Sequence, residues 1–187
     1  MDITEGWLRG VERAISPNCD ERPDPDDVSL IVLHGISLPP GEFGGGWIDR
    51  LFSNTLPADG HPYFAQIQGL KVSAHVLIGR DGRIVQYVPF HRRAWHAGVS
   101  SFQGRERCND YAIGIELEGT DSTPYEATQY QALAGLIRVL LRHYPRLSPR
   151  AIVGHSDIAP GRKTDPGVSF DWGRLGALLR SEGALSG

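Results

Sequence analysis

Residues 28–33 are almost entirely apolar and β-branched, and this run leads directly into His34. Such a run predicts a strand covered on both faces, as in sheets with helices packed against them. A second short apolar segment, residues 151–153, leads through Gly154 to His155. Because catalytic groups of α/β domains cluster where strands end at one edge of the sheet, we expect the two histidines to lie together.

The remaining pattern predicts strands over residues 73–78, 84–88 and 112–118 and helices over 47–52, 125–143 and 171–180. Asp81-Gly82 is a strong signal for a hairpin turn between the first two of these strands, so the sheet is not purely parallel. We therefore expect an α/β fold, with a central mixed β-sheet flanked by helices in a single domain over residues 1–187.

Three segments are expected to be irregular. Residues 18–27 are polar and rich in proline, and residues 37–46 hold two prolines and four glycines. The glycine spacing in the second segment does not match a phosphate-binding loop. Residues 89–111 form the longest segment without a clear element, and loops of that length in compact domains are usually functional or disordered.

The composition narrows the class of protein. The formal net charge of −3 argues against nucleic acid or an anionic membrane as the main partner. The two cysteines, Cys19 and Cys108, are expected to be free thiols, because a disulfide scaffold would carry more of them. The N-terminus lacks the features of a signal peptide, and no apolar stretch approaches the ~20 residues of a membrane span. We expect a cytoplasmic monomer.

The loop over residues 154–167 contains His155 and two aspartates, either of which could complete a metal site with the two histidines. Two histidines and one carboxylate around an open fourth position form a catalytic zinc pattern. Either Asp157 or Asp165 could supply the carboxylate, and their spacing from His155 does not decide between them. His75 is the rival third ligand, although a core or supporting histidine is the favoured interpretation for a residue inside an apolar strand.

Glu116 and Glu118 lie two residues apart in a predicted strand, so both side chains point to one face. Carboxylates on so apolar a strand are costly if they are buried without partners. One of them could be a general base beside the metal; the alternative is a solvated face of an edge strand. Lys163, two residues before Asp165, could stabilise the charge that forms on a carbonyl oxygen under attack.

The long loop offers candidates for substrate binding. Trp95 and His96 could stack on a sugar or another ring, the alternative being packing within the loop. Four basic side chains could bind a carboxylated substrate, or could be ordinary surface charges: Lys71, Arg105, Arg107 and Arg162. The chain has no Gly-x-Ser-x-Gly elbow, so a serine hydrolase has no support.

Together these segments resemble the zinc-dependent N-acetylmuramoyl-L-alanine amidases, the family that includes a phage lysozyme and the peptidoglycan recognition proteins. Within the family, the resemblance is strongest to the cytosolic enzymes that act on 1,6-anhydro-muropeptides. The matching segments span nearly the whole chain: Leu33-His34, ISLPPGEFG (36–44), HPYF (61–64), VSAH (72–75), RAWHAGVS (93–100), GIELEGTD (114–121) and RKTDPG (162–167).

The resemblance implies a role for each candidate residue. It implies His34, His155 and Asp165 as ligands of one Zn²⁺ ion, with water in the fourth position. It implies Glu116, rather than Glu118, as the base and Lys163 as the stabiliser of the oxyanion. His75 becomes a supporting residue. The positions at which the family contacts its muropeptide are Lys71, Trp95, His96, Arg107 and Arg162.

The resemblance also implies a reaction. The expected activity is hydrolysis of the amide bond between the lactyl group of (1,6-anhydro-)N-acetylmuramic acid and the L-alanine of the stem peptide, in peptidoglycan recycling. Two alternatives are an amidase of broader specificity that also cuts intact peptidoglycan and a non-catalytic peptidoglycan sensor. Family members of the sensor type typically lack a complete ligand set, whereas all three ligand positions are filled here.

The chain departs from the family pattern at two positions. Gly35 stands where the family usually has asparagine after the first zinc histidine, so a side chain that could hydrogen-bond the substrate is missing. Lys71 replaces a common arginine, which keeps the charge but loses the bidentate geometry of a guanidinium. We expect the first change to affect substrate binding and not the metal site.

Overall fold

A six-stranded mixed sheet forms the centre of the structure, a computed structural model that describes residues 1–181. The last six residues of the predicted single domain, 182–187, lie outside this description. In chain order the strands are β1 (Ile3–Thr4), β2 (Trp7–Leu8), β3 (Glu12–Arg13), β4 (Cys19–Glu21), β5 (Leu30–Ile36), β6 (Val76–Ile78), β7 (Ile84–Gln86), β8 (Arg92–Ala94), β9 (Ser101–Phe102), β10 (Arg105–Glu106), β11 (Ala112–Glu118) and β12 (Ile152–Gly154). The α-helices are α1 (Trp47–Phe52), α2 (Pro62–Gln66), α3 (Ala127–His143), α4 (His155–Ile158) and α5 (Trp172–Ser181).

The central sheet has the strand order β12-β5-β11-β6-β7-β3. The first four of these strands run parallel to one another, β7 is antiparallel to β6, and β3 is parallel to β7. The predicted turn joins β6 to β7, where the Gly82 amide donates to the Gly79 carbonyl at 2.9 Å. The predicted α/β fold with a mixed sheet is confirmed.

Strands β5 and β11 form the buried middle of the sheet and pair in register over seven residues, from Ala112 opposite Leu30 to Glu118 opposite Ile36. All residues of β11 are buried. The apolar side chains at alternate positions of β11 pack against α3 and α5 in the main core, as period-two alternation requires. The polar side chains of β11 therefore face the opposite side of the sheet.

Helix α3 covers the apolar face of the sheet because its apolar residues recur at helical spacing. They include Leu133, Leu136, Ile137 and Leu140, all fully buried. The helix begins at Ala127 rather than at the predicted residue 125, because the Glu126 amide donates to the Gln129 side chain and Glu126 acts as the cap.

The opposite face of the sheet is covered by α1, α2 and the segment over residues 89–111. A second core lies beneath the two helices, where Phe52, Phe64 and Tyr87 are almost completely buried. None of the helices within residues 1–181 combines the length and apolarity that crossing a membrane requires. Cys19 and Cys108 are free thiols, as predicted.

Two predicted elements, residues 47–52 and 112–118, match α1 and β11 residue for residue. Strand β5 begins two residues later than predicted and continues to Ile36, so His34 lies inside the strand rather than after it. The strand predicted over 73–78 is regular only from Val76, because residues 73 and 75 hydrogen-bond to Trp95 and Gly114 outside a continuous ladder.

The remaining predicted elements differ from the structure by one or two residues at their ends. The strand predicted over 84–88 spans 84–86, the strand predicted over 151–153 spans 152–154, and the helix predicted over 171–180 spans 172–181. Residues 37–46 are irregular, as predicted. The other two segments expected to be irregular contain short strands, since β4 of the 18–27 segment pairs with β8 of the long loop. Strands of two or three residues are too short to produce a periodic pattern.

Candidate active site

Two histidines and one aspartate converge at the edge of the sheet where the parallel strands end. Strand β12 pairs with β5, which brings His155 beside His34. Nδ1 of His34 lies 3.0 Å from Nδ1 of His155, and each nitrogen lies 3.1 Å from Oδ2 of Asp165. Ligand atoms around a tetrahedral zinc with bonds of ~2.0–2.1 Å are about 3.3 Å apart. The three atoms therefore have the spacing of metal ligands.

The second nitrogen of each imidazole shows which atoms carry lone pairs. Nε2 of His155 lies 3.0 Å from the carbonyl oxygen of Ala97, which only accepts, so this nitrogen carries the proton. Nε2 of His34 lies 3.0 Å from Nδ1 of His96, and with the proton of this contact on His34 its Nδ1 carries a lone pair. Burial lowers the pKa of His34 to about 4, so the ring is neutral at neutral pH. Both Nδ1 atoms then direct lone pairs at one point beside a carboxylate, and a cation satisfies that arrangement.

The geometry distinguishes the two candidate aspartates. Oδ2 of Asp157 accepts the Gly154 amide at 2.7 Å at the start of α4, and the side chain is exposed. Asp165 is the residue that meets both histidines. Burial favours the neutral carboxyl of Asp165, but the close contacts with His155 and His34 outweigh this effect and lower its pKa. Asp165 is therefore ionised at neutral pH.

His75 lies outside the triad of His34, His155 and Asp165 and is completely buried. Its Nδ1 accepts the Gly114 amide, and its Nε2 donates to the Arg92 carbonyl, both at 3.0 Å. Both ring nitrogens are thus used by the backbone, and the ring lies edge-on to His96 at 5.8 Å between centroids. These contacts fit the favoured interpretation of a supporting core histidine rather than the rival interpretation of a metal ligand.

Glu116 is buried next to the triad, with 9% of its surface exposed. Its Oε2 has no hydrogen-bond partner among the described residues. Burial, and then the charge of Asp165, raise the pKa of Glu116 well above its ordinary value, and Lys163 opposes them. The alternative of a solvated edge-strand face is wrong, because β11 lies in the interior of the sheet.

A cleft of about 640 Å³, here named the metal cleft, opens over the triad, and Lys163 and Glu116 both line it. Its polar lining residues include Thr120, Asp121 and Thr164. Its mostly apolar lining residues are Leu38, Pro40, Leu51, Tyr63, Ile67 and Leu70. A substrate in this cleft meets both apolar surface and hydrogen-bonding groups.

The structure brings two of the five predicted substrate contacts into this cleft, namely Trp95 and His96. The other three line neighbouring clefts. Lys71 borders a smaller one that shares residues 51, 67 and 70 with the metal cleft. Arg107 and Arg162 border another that shares no lining residue with the metal cleft. Arg162 also donates to the carbonyl oxygens of residues 97 and 99, both at 2.6 Å.

Gly35 has a structural explanation. A Cβ atom at this position would lie 2.4 Å from the hydroxyl of Tyr125. That hydroxyl donates to the carbonyl oxygen of Pro166 at 2.9 Å, directly after the candidate ligand Asp165. A side chain at position 35 therefore requires a different position of the Tyr125 ring.

Two supporting residues escape sequence reasoning because they lie in the polar segment before the first long strand. Asp20 accepts the indole N–H of Trp95 at 3.2 Å and so orients a residue of the cleft. Arg22 is 4% exposed, and its guanidinium donates to four carbonyl oxygens behind the site. Neither residue has a local sequence signal, since both depend on contacts with the long loop.

The fold and this arrangement of side chains are those of a hydrolase with a candidate metal site, and the family is shown by comparison with known proteins. Residues 24–168 match the family described as N-acetylmuramoyl-L-alanine amidase. The chain belongs to this family, and the predicted class of enzyme, an N-acetylmuramoyl-L-alanine amidase, is confirmed.

The chain is similar over nearly its whole length to 1,6-anhydro-N-acetylmuramyl-L-alanine amidase AmpD of Citrobacter freundii. The two are 60% identical over 179 residues, which cover 96% of this chain and 95% of the relative. This similarity confirms the predicted resemblance to the enzymes that act on 1,6-anhydro-muropeptides.

Two solved structures support the fold. A crystal structure of a selenomethionine derivative of AmpD superimposes with a TM-score of 0.93 at 60% identity and covers 96% of this chain and 99% of its own. The structure of AmpDh3 from Pseudomonas aeruginosa in complex with an anhydromuramic pentapeptide gives a TM-score of 0.61 at 31% identity. It covers 83% of this chain and 61% of its own.

Proposed function

We propose that this amidase is zinc-dependent and that it cleaves the amide bond between the lactyl group of 1,6-anhydro-N-acetylmuramic acid and the L-alanine of the stem peptide. The proposal extends to a cytoplasmic, monomeric, single-domain enzyme of peptidoglycan recycling. The observation that carries it is the triad of His34, His155 and Asp165 with an unpartnered, buried Glu116 carboxylate beside it.

The donor set supports zinc as the ion. Two neutral imidazoles and one carboxylate are ligands that zinc commonly takes, and catalytic zinc sites keep a further position open. His34, His155 and Asp165 would hold the ion. When bound, zinc lowers the pKa of a coordinated water toward ~7 and polarises a carbonyl oxygen.

Glu116 is proposed to move the proton. Its unpartnered Oε2 takes a proton from the attacking water as the water oxygen bonds to the lactyl carbonyl carbon. The same oxygen then gives the proton to the alanine nitrogen as the C–N bond breaks. A carboxyl whose pKa is raised by burial suits both steps, because it holds a proton better than an exposed glutamate does.

Lys163 is proposed to stabilise the tetrahedral intermediate. Its ammonium lines the cleft and acts electrostatically on Glu116, so it lies near the reacting centre. The negative charge that develops on the carbonyl oxygen during attack would be stabilised by this fixed positive charge.

The predicted substrate contacts divide by the cleft that each of them lines. Trp95 and His96 line the metal cleft and are proposed to contact the sugar and the first residues of the peptide. Lys71, Arg107 and Arg162 line the neighbouring clefts and are proposed to bind carboxylates further along the substrate. An extended ligand fits this division, and AmpDh3 has been solved with an anhydromuramic pentapeptide.

The test is mass spectrometry of an anhydro-muropeptide digest, with and without a chelator. We expect a free stem peptide and an anhydro-sugar in the untreated sample, loss of both with chelator, and recovery on addition of Zn²⁺. Product formation that resists chelation would contradict the zinc proposal. The same assay with reduced-end muropeptides tests the broader amidase, and an untreated sample without products would favour the sensor.

A further inference from the structure

Glu118 is a buried acid that the reaction does not use. It lies on the same face of β11 as Glu116 and is 7% exposed. Its Oε1 accepts the amide of Gly44 at 2.5 Å, and its Oε2 accepts the amide of Arg80 at 3.3 Å. One carboxylate therefore joins the end of β11 to two separate loops. A carboxylate is suited to this because both of its oxygens only accept hydrogen bonds.

The loop over residues 37–46, which contains Gly44, makes few other hydrogen bonds, although its Leu38 is buried in the second core. Its four glycines, Gly41, Gly44, Gly45 and Gly46, all have positive φ angles. Its internal hydrogen bonds are the Gly41 amide to the Ser37 hydroxyl and the Glu42 amide to the Pro39 carbonyl. Among residues 1–181, Glu118 is the one side chain outside the loop that hydrogen-bonds to the backbone of residues 39–46. A segment so rich in glycine has a large conformational entropy to lose.

The same loop lines two cavities. Its first half, including Leu38, Pro40 and Gly41, lines the metal cleft. Its second half, including Phe43 and Gly44, lines a second cavity of about 540 Å³, which Glu118 also lines. A change in the position of this loop therefore alters the lining of both cavities.

We propose that Glu118 is a positioning residue that sets the width of the substrate cleft by holding the 37–46 loop against β11. Arg80 supports the same attachment, because its guanidinium lies 4.8 Å from the centroid of the Phe43 ring. The contribution of Glu118 is to substrate binding and not to the chemical step. The effect on muropeptide binding rests on the proposed function, whereas the effect on the loop does not.

The experiment compares Glu118→Gln with Glu12→Gln, using the full chain. Glutamine keeps one acceptor but turns an N–H group toward one of the two backbone amides, so one attachment is lost. Glu12 is the control because it pairs with Arg83, which lines the same cavity, and makes no hydrogen bond to the loop. Hydrogen exchange of residues 39–46, Zn²⁺ affinity, and kcat and KM for an anhydro-muropeptide are measured.

For Glu118→Gln we expect faster exchange of the loop amides, an unchanged Zn²⁺ affinity, and a KM raised about tenfold with kcat within about twofold of wild type. Glu12→Gln should match wild type in all four. Loop exchange at the wild-type rate would overturn the inference, as would a fall in kcat at constant KM. If Glu118→Gln does not fold, Phe43→Ala loosens the loop from its exposed side and should raise KM in the same direction.

Failure of the proposed function has a different signature. Wild-type protein that binds no Zn²⁺ or yields no product contradicts the proposed reaction, whatever the loop does. Active wild-type enzyme together with an unchanged KM in Glu118→Gln and Phe43→Ala contradicts only the role of Glu118.

Discussion

Glu116 lies directly opposite His34 in the parallel pairing of β11 with β5. The proposed base and the first proposed metal ligand are therefore neighbours within the most buried part of the sheet, and no loop is needed to bring them together. A shift of one residue in this pairing would send Glu116 to the face covered by α3, because side chains alternate between the faces of a strand. The same strand register therefore places the apolar side chains of β11 in the main core and Glu116 beside His34.

Replacement of Glu116 by glutamine should abolish turnover without loss of the metal. The amide has nearly the shape of the carboxyl but cannot take a proton from water, and general bases contribute typically ~10²–10⁴-fold to rates. We expect kcat to fall by at least about 10²-fold. Metal analysis should still find one Zn²⁺ per chain. Steady-state kinetics on an anhydro-muropeptide gives the first quantity.

Glu21→Gln is the control for this substitution, because Glu21 is an exposed partner of Arg92 and does not line the metal cleft. Its kinetic constants should equal those of wild type. A Glu116→Gln enzyme with more than about a tenth of wild-type kcat would remove Glu116 from the role of base.

The long elements and the meeting of the two histidines could be predicted from the sequence. Residues 28–33 and 112–118 are long apolar runs, and strands covered on both faces leave that signal. His34 and His155 end or follow such runs, so their convergence follows from strand pairing alone. The choice between Asp157 and Asp165 could not be made this way, because it depends on the path of a loop in three dimensions.

The supporting contacts could not be predicted for a related reason. Arg22 meets carbonyl groups of residues 90–112, and Asp20 meets Trp95, so each depends on how one irregular segment packs on another. By sequence, Glu118 is a second candidate for the general base, because it shares a strand face with Glu116. Only the positions of Gly44 and Arg80 show that both of its oxygens already have partners.

Glu116→Gln should also make the metal-free protein more stable at neutral pH. Burial raises the pKa of Glu116 in the folded state above its unfolded value, so the folded state binds the proton more tightly. Its contribution to stability is then greatest below the unfolded pKa and is lost as pH rises through the folded pKa. Glutamine does not ionise and avoids this loss.

Thermal unfolding after chelation should show equal Tm values near pH 4 and a Tm higher by about 2–4 °C at pH 8 for the variant, if ~1 kcal/mol is recovered. A variant less stable than wild type at pH 8 contradicts the argument.

The two aspartates of the 154–167 loop should differ sharply in metal binding. Asp165→Asn replaces an anionic ligand by a neutral one, and we expect Zn²⁺ affinity to fall by at least about 10²-fold and activity to fall with it. Asp157→Asn is the matched control, since its oxygen can still accept the Gly154 amide. It should bind one Zn²⁺ per chain with wild-type affinity. Competition with a chromogenic chelator measures both affinities, and equal values for the two variants would contradict the ligand assignment.

Lys163→Gln should slow the chemical step with little effect on binding. The ammonium is proposed to act on a charge that exists only in the transition state, so its removal lowers kcat and kcat/KM together. Loss of one such electrostatic group costs about 10²–10³-fold in kcat. Zn²⁺ content should be unchanged, because Lys163 is not a ligand. A variant in which KM rises at constant kcat would show that Lys163 binds ground-state substrate instead.

Arg22→Lys should destabilise the fold although it conserves the charge. Nε, Nη1 and Nη2 of Arg22 donate to the carbonyl oxygens of Phe90, Asn109, Asp110 and Ala112 at 2.8–3.1 Å. Lysine presents its donors from a single nitrogen and cannot reach all four carbonyls. Since each buried polar group left without a partner costs ~1–3 kcal/mol, we expect the free energy of unfolding to fall by about 3 kcal/mol. Arg142→Lys on the exposed face of α3 is the control and should change it by less than about 0.5 kcal/mol. Denaturant titration followed by tryptophan fluorescence measures both, and a loss below about 1 kcal/mol for Arg22→Lys would show that the four carbonyls find other partners.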